Sequence, residues 1–189
     1  MAKVENNLFL LGIRGMIGNQ MVYRNCKGKI ILSKRPQCTG YQSDAQKKQR
    51  LRFKEATIYA KAALTDADTF KAYSEKAQHS EDALTAYNVA VADYLNLPVI
   101  KTVHLDEYSG QPGEGIVVSA TDDFEVKEVT VKIRQNDYTL VEKGIALADA
   151  NGLDWKYTTQ SANIPLTGSM VTIRVSDRPG NVTVKEMVI

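Results

Sequence analysis

Residues 126–146 read VKEVTVKIRQNDYTLVEKGIA. Val129, Val131 and Ile133 alternate with Thr130, Lys132 and Arg134, the period of a strand with one face buried and one face wet. Gln135-Asn136-Asp137 then supplies turn chemistry before a second apolar run. The texture recurs at Val171, Ile173 and Val175, interleaved with Thr172, Arg174 and Ser176, and turns recur at Ala150-Asn151-Gly152 and Arg178-Pro179-Gly180-Asn181. Strands are expected near 99–105, 115–121, 126–134, 138–146, 154–160, 169–176 and 181–189. That spacing predicts a seven-stranded antiparallel β-sandwich over a domain 97–189. The chain lacks the Cys-Trp-Cys spacing of antibody domains.

Upstream of Pro98 the period changes, and three helices are expected. Ser43 with Gln46 forms a capping box, in which the hydroxyl accepts from a free amide while the glutamine returns to the cap's own N–H. Phe53, Ala56, Ala60 and Ala63 or Leu64 follow at helical spacing as a narrow apolar stripe. Thr65 and Ser80 read as the caps of two further helices, with Asp66, Asp68, Glu81 and Asp82 in their first turns. The third presents Leu84, Tyr87, Val91, Tyr94 and Leu95 on one side, a core stripe. The expected architecture is therefore α+β in two domains, with a hairpin and helices over 1–96 and the sandwich over 97–189.

The hairpin comes from the apolar runs 20–25 and 29–34 around Lys27-Gly28-Lys29, stopped by Pro36. Gly12, Gly15 and Gly18 before it lack the strand and helix of a dinucleotide fingerprint and read as bend positions. Residues 12–54 hold eleven Lys and Arg against the single acid Asp44. Arg14, Arg24, Lys27, Lys29, Lys34, Arg35, Lys47, Lys48, Arg50 and Arg52 are the candidate contacts to nucleic acid or to another anionic partner. Cations at the start of a helix oppose its dipole, so an anionic partner is expected there, in the next helices or outside the chain.

The net charge of +2 conceals a split. Residues 1–64 carry thirteen basic and three acidic side chains (+10), 65–95 two and six (−4), and 96–189 nine and thirteen (−4). An apolar fraction of 43% and a charged fraction of 24% are those of globular protein. The apolar run 8–11 is too short for a secretory h-region, and no run reaches the ~20 residues of a membrane span. Synthesis in the cytoplasm without a classical secretion signal is expected. Cys26 and Cys38 then read as reduced thiols, with a cross-hairpin disulfide as the alternative.

Chemistry-bearing groups are sparse. Asp122, Asp123 and Asp177 could converge at one end of the sandwich as calcium ligands, or serve as turn residues, the favoured reading. Asp106, Glu107 and Glu114 flank a solvated loop, and His104 sits in a strand. No nucleophile elbow, phosphate loop or metal-ligand pair is present. No catalytic residue, metal or cofactor is expected, and the chain is read as not an enzyme.

Two resemblances add context. Val117-Val118-Ser119-Ala120-Thr121-Asp122-Asp123, Val129-Thr130-Val131-Lys132-Ile133, Trp155-Lys156-Tyr157 and Val175-Ser176-Asp177-Arg178-Pro179-Gly180-Asn181 resemble bacterial immunoglobulin-like or fibronectin-like modules, which serve as spacers, adhesins and virion decorations. Gly12-x-x-Gly-x-x-Gly18, Tyr23, Lys27-Gly28-Lys29, Ser33, Arg35-Pro36 and Ser43-x-Ala45-Gln46-x-x-x-Arg50-x-x-Phe53 resemble an uncharacterised bacterial and prophage family with no assigned chemistry. An immunoglobulin-like module without an export signal, a small basic anchor segment with little core of its own and the lack of a catalytic set lead to the expectation of a structural or assembly protein, a phage or phage-derived particle component bound to other protein subunits in a homo- or hetero-oligomer. The alternatives are a nucleic-acid-binding protein using residues 14–54 and a surface adhesin or glycan-binding module.

Overall fold

Helix α1 (Asp44–Ala63) starts where the capping box places it. Ser43 Oγ accepts from the Gln46 N–H at 3.3 Å, and Gln46 Oε1 accepts from the Ser43 N–H at 3.1 Å. The computed structural model describes residues 2–4, 13–26, 29–37, 40–80 and 84–189. By contacts the chain divides into two units, Met1–Lys48 and Gln49–Ile189.

In Met1–Lys48, β1 (Ala2–Val4), β2 (Gly15–Ile17), β3 (Met21–Cys26) and β4 (Lys29–Lys34) form an antiparallel sheet in the order β1-β4-β3-β2. The expected hairpin is β3–β4, paired from Met21 with Lys34 to Cys26 with Lys29. β1 and β2 were not foreseen. Gly15 and Gly18 bracket β2 with φ of 111° and 58°, the left-handed region that glycine enters freely.

In Gln49–Ile189, α2 (Ala67–His79) and α3 (Ala86–Leu95) join α1 around Ala56, Ala60, Tyr73, Ala77, Val89, Ala90 and Val91. The caps differ from the reading of Thr65 and Ser80. Asp66 caps α2, accepting from the Thr69 N–H at 2.9 Å, and Thr85 caps α3. Asp outranks Thr as an N-cap, and Ser80 closes α2 through its own N–H. Phe53, at one end of the apolar stripe, is 51% exposed, whereas Ala56 and Ala60 are buried.

The strand pattern is recovered closely: β5 (Val99–His104), β6 (Gly115–Thr121), β7 (Val126–Arg134), β8 (Leu140–Ile145), β9 (Leu147–Ala148), β10 (Asp154–Thr158), β11 (Met170–Asp177) and β12 (Val182–Val188). There are eight strands here rather than seven. The run read as one strand over 138–146 breaks at buried Ala146, whose N–H bonds Val129 O at 2.8 Å. β8 pairs with β7 and β9 pairs with β10, so the chain changes sheets there. The two four-stranded antiparallel sheets, β5-β6-β10-β9 and β12-β11-β7-β8, share one core built from alternate residues of β6, β7 and β11. At ~1.5–3 kcal/mol for each fully buried aliphatic side chain, this core dominates the stability of the unit.

The domain boundary read at 96/97 does not coincide with the division at Lys48. Helices and paired sheets belong to one unit because the Tyr73 and Phe124 rings lie 4.4 Å apart. Asn181 Nδ2 also reaches the carbonyls of Asp93, Tyr94 and Asn96 at 3.4, 3.2 and 3.2 Å. Thr183 Oγ1 donates to Pro98 O at 2.5 Å.

Candidate functional site

The register of the first sheet sorts its side chains. Residues paired across strands share a face, so Ile17, Met21, Tyr23, Asn25, Ile30, Leu32 and Lys34 lie on one side, while Met16, Val22, Arg24, Ile31 and Ser33 lie on the other. The first side is largely apolar. Yet among the described residues of Met1–Lys48 only Ile30, at 9% exposure, is buried; Ile17 and Met21 stand 48% and 39% exposed.

The basic residues do not form one patch. Arg24 is on the opposite face from Lys34, and Arg14 precedes β2. Arg35 Nη1 donates to Asn19 Oδ1 at 2.6 Å, and both line a cleft of about 1060 Å³ with Lys34. Lys47 pairs with Asp44 at 3.1 Å. Arg52, half-buried, donates to Leu95 O at 2.6 Å and so tethers α1 to the end of α3. Lys48 and Arg50 are exposed on α1. Lys27 and the side chain of Lys29 lie outside the described residues, as do Cys38 and the side chain of Cys26, and with them the question of a disulfide.

The loop carboxylates have structural work. Glu114 accepts from Ser109 N at 2.7 Å, Ser109 Oγ at 2.5 Å and Gln111 N at 3.0 Å, which holds its carboxyl below the usual glutamate range. His104 is exposed and stands 3.7 Å from Asp106. Asp123 Oδ2 accepts from Asn96 Nδ2, and its carbonyl accepts from Lys76 Nζ.

Asp122 and Asp177 are turn residues, as read. Asp122 Oδ2 accepts from the N–H groups of Phe124 and Glu125 at 3.1 and 3.2 Å. Asp177 Oδ1 accepts from Gly180 and Asn181 at 2.9 and 2.6 Å. These turns also bring the two carboxylates to Asp93 of α3, one oxygen of each lying within 4.8 Å of the others. Asp93 and Asp177 are each 1% exposed. Asp93 Oδ2 accepts the Tyr73 hydroxyl at 2.5 Å, and Tyr73 in turn meets the Tyr59 hydroxyl at 3.0 Å.

Two unit charges 4.8 Å apart repel by roughly 3.5 kcal/mol at an effective dielectric of about 20. Burial, chiefly, with the neighbouring Asp122 and Asp177 charges, pushes the Asp93 carboxyl up to about 7. Burial also raises Asp177. Among the described residues no Lys or Arg forms an ion pair with any of the three: Arg178 is 2.9 Å from Glu125. Asp93 was not singled out in the sequence. Its one signal is an acid inside an otherwise apolar turn, Val89-Ala90-Val91-Ala92-Asp93-Tyr94-Leu95.

No helix among the described residues is long and apolar enough to cross a membrane. No family model and no curated protein matches the chain. Solved structures to which it is similar include a crystal structure of an engineered protein, with 17% identity and a TM-score of 0.35 over 55% of this chain and 26% of that one. Another is the S-layer protein rSbsC, with 13% identity and a TM-score of 0.32 over 74% of this chain and 22% of that one. The chain spans about a quarter of the length of these structures.

Proposed function

We propose that this chain is a non-enzymatic assembly protein, a phage-derived particle component whose first sheet docks on other protein subunits and whose paired sheets form an immunoglobulin-like module. The observation that carries the reading is the exposure of the sheet in Met1–Lys48, which has one buried hydrophobic side chain among its described residues. Isolated small sheets need a covered apolar face to be stable, and Ile17 and Met21 supply such a face uncovered. The unit is also cationic, with nine basic and two acidic side chains, whereas residues 49–189 carry fifteen and twenty. An acidic subunit surface, including that of a second copy, complements it.

The immunoglobulin-like assignment is supported by strand order. Lettered along the chain with β8 as C′ and β9 as D, the sheets run A-B-E-D and G-F-C-C′, the partition of that fold with one added strand. The phage-derived origin rests on the resemblance of the stretch from Gly12 to Phe53 to an uncharacterised bacterial and prophage family.

Light scattering on the purified full chain, combined with hydrogen exchange over residues 15–34, tests the docking. Assembly with protection of β2, β3 and β4 is expected, and Ile17→Lys with Met21→Lys should abolish both. A monomer at high concentration whose first sheet is fully protected overturns the reading. Filter binding to DNA and RNA across a salt series addresses the nucleic-acid alternative, for which a slope of several units is required. The split of Arg24 and Lys34 between faces disfavours it.

A further inference from the structure

We propose that Asp93, Asp122 and Asp177 bind a calcium ion that ties helix α3 to the turns β6–β7 and β11–β12. Three separate segments deliver one carboxylate oxygen each to a span of 4.8 Å. Opposite ligands of calcium stand roughly 4.6–5.2 Å apart, given its bonds of about 2.3–2.6 Å.

A cluster of acids alone is no site, but two of its oxygens accept from no N–H or O–H donor, leaving only a proton shared between Asp93 and Asp122 to join them. Asp93 is 1% exposed and its Oδ1 is buried without a hydrogen-bond partner; Asp122 Oδ1 is buried and equally unpartnered. Every other oxygen of the three side chains has a donor: Tyr73 on Asp93, Phe124 and Glu125 on Asp122, and Gly180 with Asn181 on Asp177. Buried acceptors left open are costly and rare, and these two belong to the groups that converge.

Oxygen is oversupplied beside them as well. The two hydrogens of Asn181 Nδ2 face four acceptors, the carbonyls of Asp93, Tyr94 and Asn96 and Asp177 Oδ2 at 2.7 Å. Calcium takes six to eight oxygens and sheds its water readily, whereas magnesium keeps several waters in a strict octahedron. A buried, carboxylate-rich and irregular set suits calcium. A cavity of about 380 Å³ between Lys76, Val89, Ala92, Asp123 and Phe124 has Asp93 in its wall.

The test uses the full chain stripped with EDTA. Terbium, a calcium surrogate, should luminesce on tyrosine excitation, because the Tyr73 hydroxyl touches Asp93, and calcium should displace it. Calcium at 100 times its dissociation constant should raise the melting temperature by about 5 °C or more. Asp93→Asn should lose both signals. Asp122→Asn is the second variant should the first not fold, since its side-chain oxygen still accepts from Phe124 and Glu125. Absence of calcium-displaceable luminescence in folded protein overturns the site. So does a melting temperature indifferent to calcium, the behaviour of a proton shared by Asp93 and Asp122. An equal response to magnesium overturns the assignment to calcium.

Discussion

The sheet of Met1–Lys48 and the paired sheets of Gln49–Ile189 obey the same local rules and end in opposite conditions. Both are antiparallel, and both place glycine in turns. In the paired sheets the apolar residues Val129, Val131, Ile133, Val171, Ile173 and Val175 are all at 0% exposure. In the first sheet Ile17 and Met21 remain open. Alternation specifies which face wants cover; a second layer within the chain decides whether it is covered.

That contrast can be broken most sharply by truncating equivalent positions. Ile173→Ala should cost about 2–5 kcal/mol in denaturant unfolding of the paired sheets, because it opens a cavity in a closed core. Ile17→Ala in the unassembled first sheet, where the side chain is 48% exposed, should cost well under ~1 kcal/mol, so equal losses would refute the distinction. Gly110→Ala should come next. Its φ is 94°, and a Cβ there meets Asn163 O at 2.6 Å; a loss of about 1–3 kcal/mol by thermal unfolding is expected. Ser43→Ala removes one half of the α1 cap and should cost roughly 1 kcal/mol, read as faster amide exchange at Gln46 with the paired sheets unaffected. The smallest effect concerns acid. Glu114 is held below its ordinary value of 4.5 by donors present only in the folded loop. Its contribution is present above that value and fades as pH falls through the lowered one, loosening the amides of Ser109 and Gln111 while the core stays protected.

The strands were legible because a two-residue period and turn residues are local signals, and β6 and β7 fall on the expected residues. The capping box was legible for the same reason. The split of β8 from β9 was not, since Ala146 carries no break signal and the change of sheet is decided by which neighbour its flanks can pair with. The helices read as partners of the hairpin belong with the paired sheets. That attachment rests on Tyr73, Phe124 and Asn181, each of which has an innocent local role in the sequence. Tyr73, fully buried, lies in the polar run Phe70-Lys71-Ala72-Tyr73-Ser74-Glu75-Lys76, whereas Phe53, in a better helical pattern, is half exposed. Of the carboxylate cluster, two members were visible as turn residues and the third was hidden inside an apolar helix. The basic block was conspicuous, but charge in sequence says nothing of which face of a sheet it will occupy.

The amide of Asn181 bonds carbonyls as many as 88 residues earlier, and this has a temporal meaning. During synthesis the end of α3 emerges long before the residue that secures it. The end of α3 gains this tie only with the last hairpin of the nascent chain, and a product terminated before that turn holds its helices by the earlier contacts of Tyr73 with Phe124 and of Asn96 with Asp123.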